Sequence, residues 1–282
     1  MCTATRVVKI STDTEVYGVT SVDDELIVLL CRHDNQVAVY SINDYQLLRH
    51  LNVPQFTPRE ITSCVRRYFM SPETSPNDPM SYVRRKCLYM SDFYNNRIRM
   101  YDFVGSTFSQ VSQWSVPGQP FGLSVTPSCN LLVTCREPNK LVELSADSGQ
   151  CVREIALQSN IVSPEHGVLT TGHFVVCHGV RDNNLHRVCV VGDDGKVTLS
   201  YGDQPGYDVG QLNCPRRVAV DKDSQFIFVA DRDNRRVVLL SPTLEFVRCV
   251  SKGLSGPRRL YLHQATQRLF AGRGGDVTVI QL

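Results

Sequence analysis

The chain lacks long hydrophobic runs. Its longest apolar runs, such as 26–30, contain only a few residues, whereas a membrane-spanning helix needs about 20. Residues 1–6 show no long apolar stretch with a small-residue cleavage site, so no secretory signal is predicted. An Asn-x-Ser/Thr acceptor for glycosylation is also missing. These absences predict a cytoplasmic protein that makes no membrane contact.

The motifs of several enzyme classes are missing as well. There is no Gly-x-Ser-x-Gly nucleophile elbow and no Gly-Lys-Ser/Thr phosphate loop. The segment Gly272-Arg273-Gly274-Gly275 is better explained as a tight turn. We therefore predict a non-enzymatic protein without a cofactor, although a catalytic triad built from residues distant in sequence stays open.

What the chain does contain suits a folded domain. Hydrophobic residues make up 42% of its 282 residues, charged residues make up 21%, and the net charge is only +2. Cysteine is abundant, with eleven residues. Most lie inside apolar runs such as Val188-Cys189-Val190, where a free thiol behaves as a small hydrophobic side chain. We predict buried free thiols rather than a disulfide framework.

A repeated unit of four short strands is the most informative feature. Residues 215–251 contain four β-branched or aromatic runs separated by turn residues, which is the pattern of one propeller blade. The third strands of the repeats begin near 37, 98, 141, 188, 237 and 277. The pattern predicts an all-β fold, a single six-bladed β-propeller over 1–282 with four antiparallel strands in each blade. The predicted blades are 16–53, 58–116, 120–157, 164–201, 215–251, and 257–282 together with 5–10.

Two details complete this prediction. The last repeat has three strands, and residues 5–10 resemble the fourth strand of the other repeats, so the N-terminal strand is expected to close the last blade. Closure of the ring removes exposed strand edges. The one long spacing holds a Ser/Pro-rich insert, 70–86, which is interpreted as an extended hairpin loop in blade two.

The strand–turn–strand segments resemble a known family. Val229-Ala230-Asp231-Arg232-Asp233-Asn234-Arg235-Arg236-Val237 looks like the NHL repeat, and Ser91-Asp92-Phe93-Tyr94-Asn95-Asn96-Arg97-Ile98 is similar to it. NHL propellers commonly form the C-terminal part of tripartite-motif proteins, where they bind RNA or protein. The resemblance therefore implies a binding function, including that of a substrate-recruiting propeller of a ubiquitin ligase.

The predicted topology separates the charges of the chain between two ends. The loops between second and third strands lie at the same end as the links between blades, which we call the upper end. Fifteen basic residues and nine acidic residues were assigned to its turns and strand starts, whereas the opposite hairpins carry twelve acidic and five basic residues. A basic face attracts a polyanion, and arginine suits bidentate contacts and stacking.

The upper end is therefore the predicted ligand site. Its candidate residues are Arg32, Arg59, Phe93, Tyr94, Phe121, Arg136, His166, His178, Arg216, Arg232, Arg258 and Arg273. Bases of single-stranded RNA can stack on aromatic rings among arginines, which makes such RNA the first predicted partner. An acidic or aromatic protein segment is the alternative, and the isolated domain is expected to be monomeric.

Enzyme alternatives remain within the propeller class. Peptide-amidating lyases, which resemble NHL propellers, hold zinc with histidines at strand starts. The corresponding positions here are Tyr17, Arg59, Phe121, His166, Arg216 and Arg258. Only one of these is histidine, so that resemblance fails.

Other acids and histidines also have a structural explanation. A lactonase-like site would use Glu165 and Asp92 but lacks companion asparagines, and a metal held by His178 with His186 or Cys189 stays open. Asp92 and Asp231 are expected to accept backbone N–H bonds of their turns.

Overall fold

The computed structural model describes residues 7–12, 14–30, 36–53, 56, 58–69, 82–104, 107–179 and 185–282. Its strands are β1 (Val7–Ser11), β2 (Val16–Val22), β3 (Glu25–Leu30), β4 (Gln36–Ser41), β5 (Leu47–Asn52), β6 (Pro58–Phe69), β7 (Tyr82–Asp92), β8 (Arg97–Val104), β9 (Thr107–Ser115), β10 (Pro120–Val125), β11 (Leu131–Cys135) and β12 (Lys140–Leu144). They continue with β13 (Cys151–Ala156), β14 (Pro164–Leu169), β15 (Phe174–His178), β16 (Arg187–Val191), β17 (Val197–Tyr201), β18 (Pro215–Val220), β19 (Ile227–Asp231), β20 (Arg236–Leu240), β21 (Phe246–Lys252), β22 (Arg259–His263), β23 (Arg268–Arg273) and β24 (Asp276–Gln281).

The described strands form six antiparallel sheets of four strands, which confirms the six-bladed propeller. Five sheets contain four consecutive strands, beginning at β2, β6, β10, β14 and β18. The sixth has the order β1-β24-β23-β22, and Val8 pairs with Val279 and Ile10 with Val277 across its outer edge. The prediction that the N-terminal strand closes the last blade is therefore confirmed.

The middle strands of each blade are buried on both faces, which explains their continuous apolar sequences. Every residue of β11, β15, β19 and β20 is buried, because each sheet packs face to face against a neighbour on either side. The fourth strands are half exposed, as in β13. Among the described residues, six hydrophobic clusters fill the six interfaces between adjacent blades.

Blade two is longer than the other blades. Its first two strands contain 12 and 11 residues, and their register continues to the pair Phe69–Tyr82. The prediction of a loop over 70–86 is therefore wrong for 82–86, which belong to β7; the rest of that insert lies outside the described residues. The strand is polar here, but Arg85 pairs with Asp102 at 2.7 Å and Lys86 with Asp23 at 2.6 Å, so its charges have partners.

Nine cysteines of the described part of the chain are free thiols, and six of them are buried. This agrees with the prediction of cysteine as a core residue. Within the same ranges, no helix is long and apolar enough to cross a membrane.

Candidate anion-binding site at the centre of the ring

The first strand of each blade lines the central channel. These inner strands run from the upper end, where the links between blades lie, towards the opposite end, which we call the lower end. Residues at their beginnings therefore meet around the upper mouth of the channel.

A β-bulge marks the beginning of the inner strands. In blade four Pro164 pairs with His178 and His166 pairs with Cys177, so Glu165 has no partner across the strand pair. The same shift occurs in blades one, two, three and five. A bulge turns its extra residue out of the ladder and aims its side chain in a new direction. The bulged residues Tyr17, Arg59, Phe121, Glu165 and Arg216 form the upper ring together with Arg258, which directly precedes the regular first strand of blade six.

This register corrects the sequence alignment of the blades in one place. The alignment put His166 at the strand start of blade four, but the bulge puts Glu165 there. His166 belongs to the next level, the lower ring, which consists of Gly18, Glu60, Gly122, His166, Arg217 and Arg259. It is 5% exposed, and burial lowers its pKa to about 4.

The lower ring closes the channel. Arg217 of blade five forms an ion pair with Glu60 of blade two, and both side chains are buried. These two blades are opposite each other, so the pair spans the ring. Arg259 fills the space beside it and donates hydrogen bonds to the carbonyl oxygens of Tyr17 and, at 3.2 Å, Arg59. The channel is thereby divided into an upper pocket and a lower cavity.

The upper pocket has a volume of about 250 Å³ and carries a strong positive charge. It is lined by Glu15, Tyr17, Arg59, Phe93, Phe121, Arg136, Glu165, Arg216, Arg258 and Arg259. Five guanidinium groups thus face two carboxylates. Glu165, 1% exposed, accepts hydrogen bonds from both Arg136 and Arg216, and Glu15 pairs with Arg258 at 3.0 Å. The described lining therefore has a net charge of +3, from five arginines and two glutamates, and Arg59 and Arg259 are the two arginines that pair with neither carboxylate.

Aromatic rings hold several of these arginines in place. The guanidinium carbon of Arg136 lies 3.4 Å from the centre of the Phe121 ring, and that of Arg59 lies 5.3 Å from the centre of Phe93. Phe93 packs edge-on against Phe121, with ring centres 5.9 Å apart. Such cation–π contacts stabilise each arginine in one orientation. They also occupy ring faces that the RNA prediction had assigned to bases.

Half of the predicted site residues meet in this pocket. They are Arg59, Phe93, Phe121, Arg136, Arg216 and Arg258. Tyr94 lies at its rim, 67% exposed, with its hydroxyl 3.4 Å from an Arg59 nitrogen. Arg32 lies outside the described residues.

The remaining candidates lie elsewhere. His178 is fully buried in blade four, where its ring contacts Arg187 at 3.3 Å and Cys189 at 3.7 Å. Arg232 is 6% exposed and pairs with Asp233 at 3.2 Å. Arg273 donates to the Ser255 carbonyl oxygen at 2.6 Å. His178 and Arg232 are therefore buried, which corrects their assignment to an exposed face.

Four residues of the described pocket lining were missing from the sequence-based site: Glu15, Tyr17, Glu165 and Arg259. The alignment of blade four had put His166 in the place of Glu165. Arg259 directly follows Arg258, and sequence alone does not distinguish the positions of two adjacent arginines. The count of charges at the upper end also omitted Glu15, Asp203 and Asp208, which lie in links between blades. The basic surplus is consequently concentrated in the central pocket and weaker over the rest of the upper end.

The turn acids have structural partners. Asp231, fully buried, accepts the Asn213 backbone N–H at 2.6 Å and pairs with Arg236 at 2.7 Å. Asp92 is also fully buried, but it accepts hydrogen bonds from the side chains of Asn95 and Arg99. Asp231 thus accepts a backbone N–H bond, but from the link before blade five and not from its own turn, and the observed bonds of Asp92 come from side chains.

The lower cavity differs in chemistry. It has a volume of about 360 Å³ and is bounded at its inner end by Glu60, His166 and Arg217. Its walls are apolar side chains and hydroxyls, and the hydroxyls bond to one another, as in Ser21–Tyr261 at 2.6 Å. Within the described ranges, no group of three or more His, Cys, Asp or Glu side chains could hold a metal ion, and this includes the His178, His186 and Cys189 region.

Comparisons with known proteins show the fold of the chain and do not show its family. No protein-family model matches it, and no curated protein sequence matches it. The NHL resemblance therefore stays a prediction. Solved structures of propellers match over nearly the whole chain.

Three of these structures are informative. Virginiamycin B lyase from Staphylococcus aureus is 11% identical, with 99% of each chain covered and a TM-score of 0.61. Hydrazine synthase from Kuenenia stuttgartiensis is 14% identical, with 97% of each chain covered and a TM-score of 0.63. A protein of unknown function from Bacteroides thetaiotaomicron is 12% identical, with 99% of this chain and 76% of that chain covered and a TM-score of 0.71. Identities this low show the shared fold and do not transfer an activity.

Proposed function

We propose that this propeller is a non-enzymatic binding platform whose upper pocket anchors one anionic group of a protein partner. The observation that carries the proposal is the composition of the pocket, in which five arginines from several blades face only two carboxylates. Charges of one sign concentrated in a concave site attract a group of the opposite sign. The fold supplies the rigid ring on which these side chains are mounted.

The arginines are positioned before any ligand binds. Phe121 and Phe93 hold Arg136 and Arg59 by stacking, and Glu165 holds Arg136 and Arg216 through hydrogen bonds. A preorganised site loses less conformational entropy on binding than a site of mobile side chains. This favours recognition of a single group of defined shape over diffuse attraction of a polyanion.

The rim of the pocket favours a protein segment. Tyr94, 67% exposed, lies at the rim beside Arg59, and Tyr207, 52% exposed, lies in the upper link between blades four and five. Exposed acids of the same loops and links, Glu137, Asp203 and Asp208, would repel an extended polyanion. Tyrosine and arginine are enriched in protein interfaces, where an aromatic contact accompanies a charged anchor.

Single-stranded RNA is the second candidate, and it is favoured by a lining whose basic residues, among those that the structure describes, are all arginines. Arginine forms planar bidentate contacts with phosphate. The 67% exposed ring of Tyr94 could receive one base beside the anchored phosphate.

The test is fluorescence anisotropy with two labelled pools, acidic peptides and short single-stranded RNAs, at low and physiological salt. The pocket variant is Arg59→Gln/Arg258→Gln, which keeps the arginines that neutralise Glu165. The matched control is Arg97→Gln/Arg248→Gln, which removes two exposed arginines outside the pocket lining. We expect the wild type and the control to bind the peptides and the pocket variant to bind them at least tenfold more weakly.

Three other results would count against the proposal. Equal binding by all three proteins would mean that the pocket is not the anchor. RNA binding that is lost in the pocket variant, without peptide binding, would replace the protein partner with the second candidate. Binding to neither pool would overturn the platform proposal itself, provided that circular dichroism shows the same β content in each protein.

A further inference from the structure

The upper pocket is blind, and this limits what can enter it. The Glu60–Arg217 ion pair and Arg259 close the channel below the upper ring. A polymer therefore cannot thread through the ring, and a ligand can insert only a projecting tip from the upper end. Within a protein partner, such a tip is a side chain that carries its charge at its end.

The charge of the pocket exceeds what one carboxylate neutralises. Three of its five arginine charges remain after Glu15 and Glu165 are counted. A carboxylate brings one negative charge, whereas a phosphate monoester brings about 1.5 to 2 at pH 7. Burial, and after it neighbouring arginines, lower the pKa of Arg258, and burial lowers that of Arg259 to about 10, so a bound anion would stabilise the charged forms of both side chains.

Hydrogen-bond capacity also favours phosphate. The Nε atoms of Arg59, Arg136, Arg216 and Arg258 are buried and have no hydrogen-bond partner among the described residues. Each guanidinium has five N–H donors and no acceptor. A phosphate monoester offers three strong acceptor oxygens, one more than a carboxylate, and it accepts bidentate pairs from more than one arginine.

From these observations we infer that the group anchored in the upper pocket is a phosphate monoester on a partner's serine or threonine side chain. The inference rests on the proposed function and specifies its ligand. A phosphorylated side chain combines a short stem, a terminal charge of nearly two and three acceptor oxygens. A phosphorylated RNA end has the same charged group, but its following phosphates would have to cross the acidic residues of the upper links.

The experiment uses heptapeptide pools that are identical except at the central position, which is phosphoserine, glutamate or serine. Binding to the whole chain is measured by anisotropy, with inorganic phosphate as competitor. We expect the phosphoserine pool to bind at least tenfold more tightly than the glutamate pool, and the serine pool more weakly than both. Arg59→Gln/Arg258→Gln should remove the advantage of phosphoserine, whereas Arg97→Gln/Arg248→Gln should preserve it.

The outcomes separate this inference from the proposed function. Equal affinity for the phosphoserine and glutamate pools would overturn the phosphate inference and leave the anionic anchor intact. A preference for 5′-phosphorylated over 5′-hydroxyl RNA, without peptide binding, would overturn the protein source. Failure of every peptide pool to bind the folded wild type would overturn both proposals. Should the double variant melt earlier than the control, Arg258→Gln alone provides the same comparison.

Discussion

The two compartments of the channel are built on the same six strands but differ in almost every chemical respect. The upper pocket is lined mainly by arginines, aromatic rings and two glutamates. The lower cavity is lined mainly by aliphatic side chains and by hydroxyls that bond to each other. The number and direction of the strands cannot be the cause, since both compartments share them.

The difference comes from the position of the bulges. Below each bulge the inner strand is regular and its side chains pack between blades, which favours Val, Ile and Leu. At the bulge one residue leaves the ladder and is released from packing, as Glu165 and Arg216 are. A propeller can therefore change its upper ring without disturbing its core, which is how one fold supports different binding sites.

The largest loss of stability is expected from substitutions in the Glu60–Arg217 ion pair, which separates the two compartments. Glu60→Gln would leave the buried Arg217 without a counter-charge, and we expect a loss of about 3–5 kcal/mol in the free energy of unfolding. Glu60→Leu/Arg217→Met removes both charges, and it should cost far less because no buried ion remains. Urea denaturation of the three proteins measures this. A loss below about 1 kcal/mol in Glu60→Gln would contradict the importance of the pair.

Acid should destabilise the fold through two buried histidines, one in the lower ring and one inside blade four. His166 has a pKa of about 4 and His178 a pKa of about 3, in both cases because burial disfavours the imidazolium. The unfolded chain titrates near 6.5 and so binds more protons between pH 6.5 and 4, which lowers stability as pH falls. At pH 5 the loss is about 2 kcal/mol for each histidine.

This pH effect has a matched control. His166→Gln should reduce the difference in unfolding free energy between pH 7 and pH 5 by about 2 kcal/mol. His173→Gln, at a hairpin position that is partly exposed, should leave that difference unchanged. An identical pH dependence in all three proteins would show that folding does not lower the pKa of His166.

Close approach of neighbouring blades makes glycine necessary in the lower ring. A Cβ atom at Gly122 would lie 2.6 Å from the Glu165 carbonyl oxygen and 2.9 Å from the His166 Cα. Gly122→Ala should therefore destabilise the protein by about 1–3 kcal/mol. Gly192→Ala is the control, because its nearest atom is the flexible Asp194 carboxylate at 3.1 Å. Thermal melts that coincide for the two variants would contradict the close packing.

The fold could be predicted from the sequence because its physical signal repeats. Strands such as β11 and β19 are buried on both faces and are therefore continuous apolar runs, and the regular spacing of the runs gives the number of blades. The boundary of the insert could not be predicted in this way. Residues 82–86 lie in a strand because Asp23 and Asp102 neutralise their charges, and those partners are distant in sequence.

The site was predictable only in part. Proline before Arg59, Phe121, Arg216 and Arg258 marks the strand starts, so most of the upper ring was found. In blade four Pro164 precedes Glu165 in the same way, so the proline pattern indicates Glu165, and the alignment to His166 was one residue out of register. The pairing of Glu60 with Arg217 depends on which blades are opposite each other, and sequence reasoning did not use that information.

The smallest effects on stability are expected from two tyrosine-to-phenylalanine substitutions, one at each end of the channel. The Tyr261 hydroxyl bonds to the Ser21 hydroxyl at 2.6 Å at the wall of the lower cavity, where burial raises its pKa. Tyr261→Phe should cost about 1 kcal/mol, the usual net contribution of one hydrogen bond. Tyr94→Phe loses only the 3.4 Å contact with Arg59 on a side chain that is 67% exposed, so its unfolding free energy should stay within about 0.5 kcal/mol of the wild type. Equal costs in denaturant titrations would mean that the rim of the upper pocket contributes to folding as the lower cavity does, and the separation of a binding end from a structural end would be wrong.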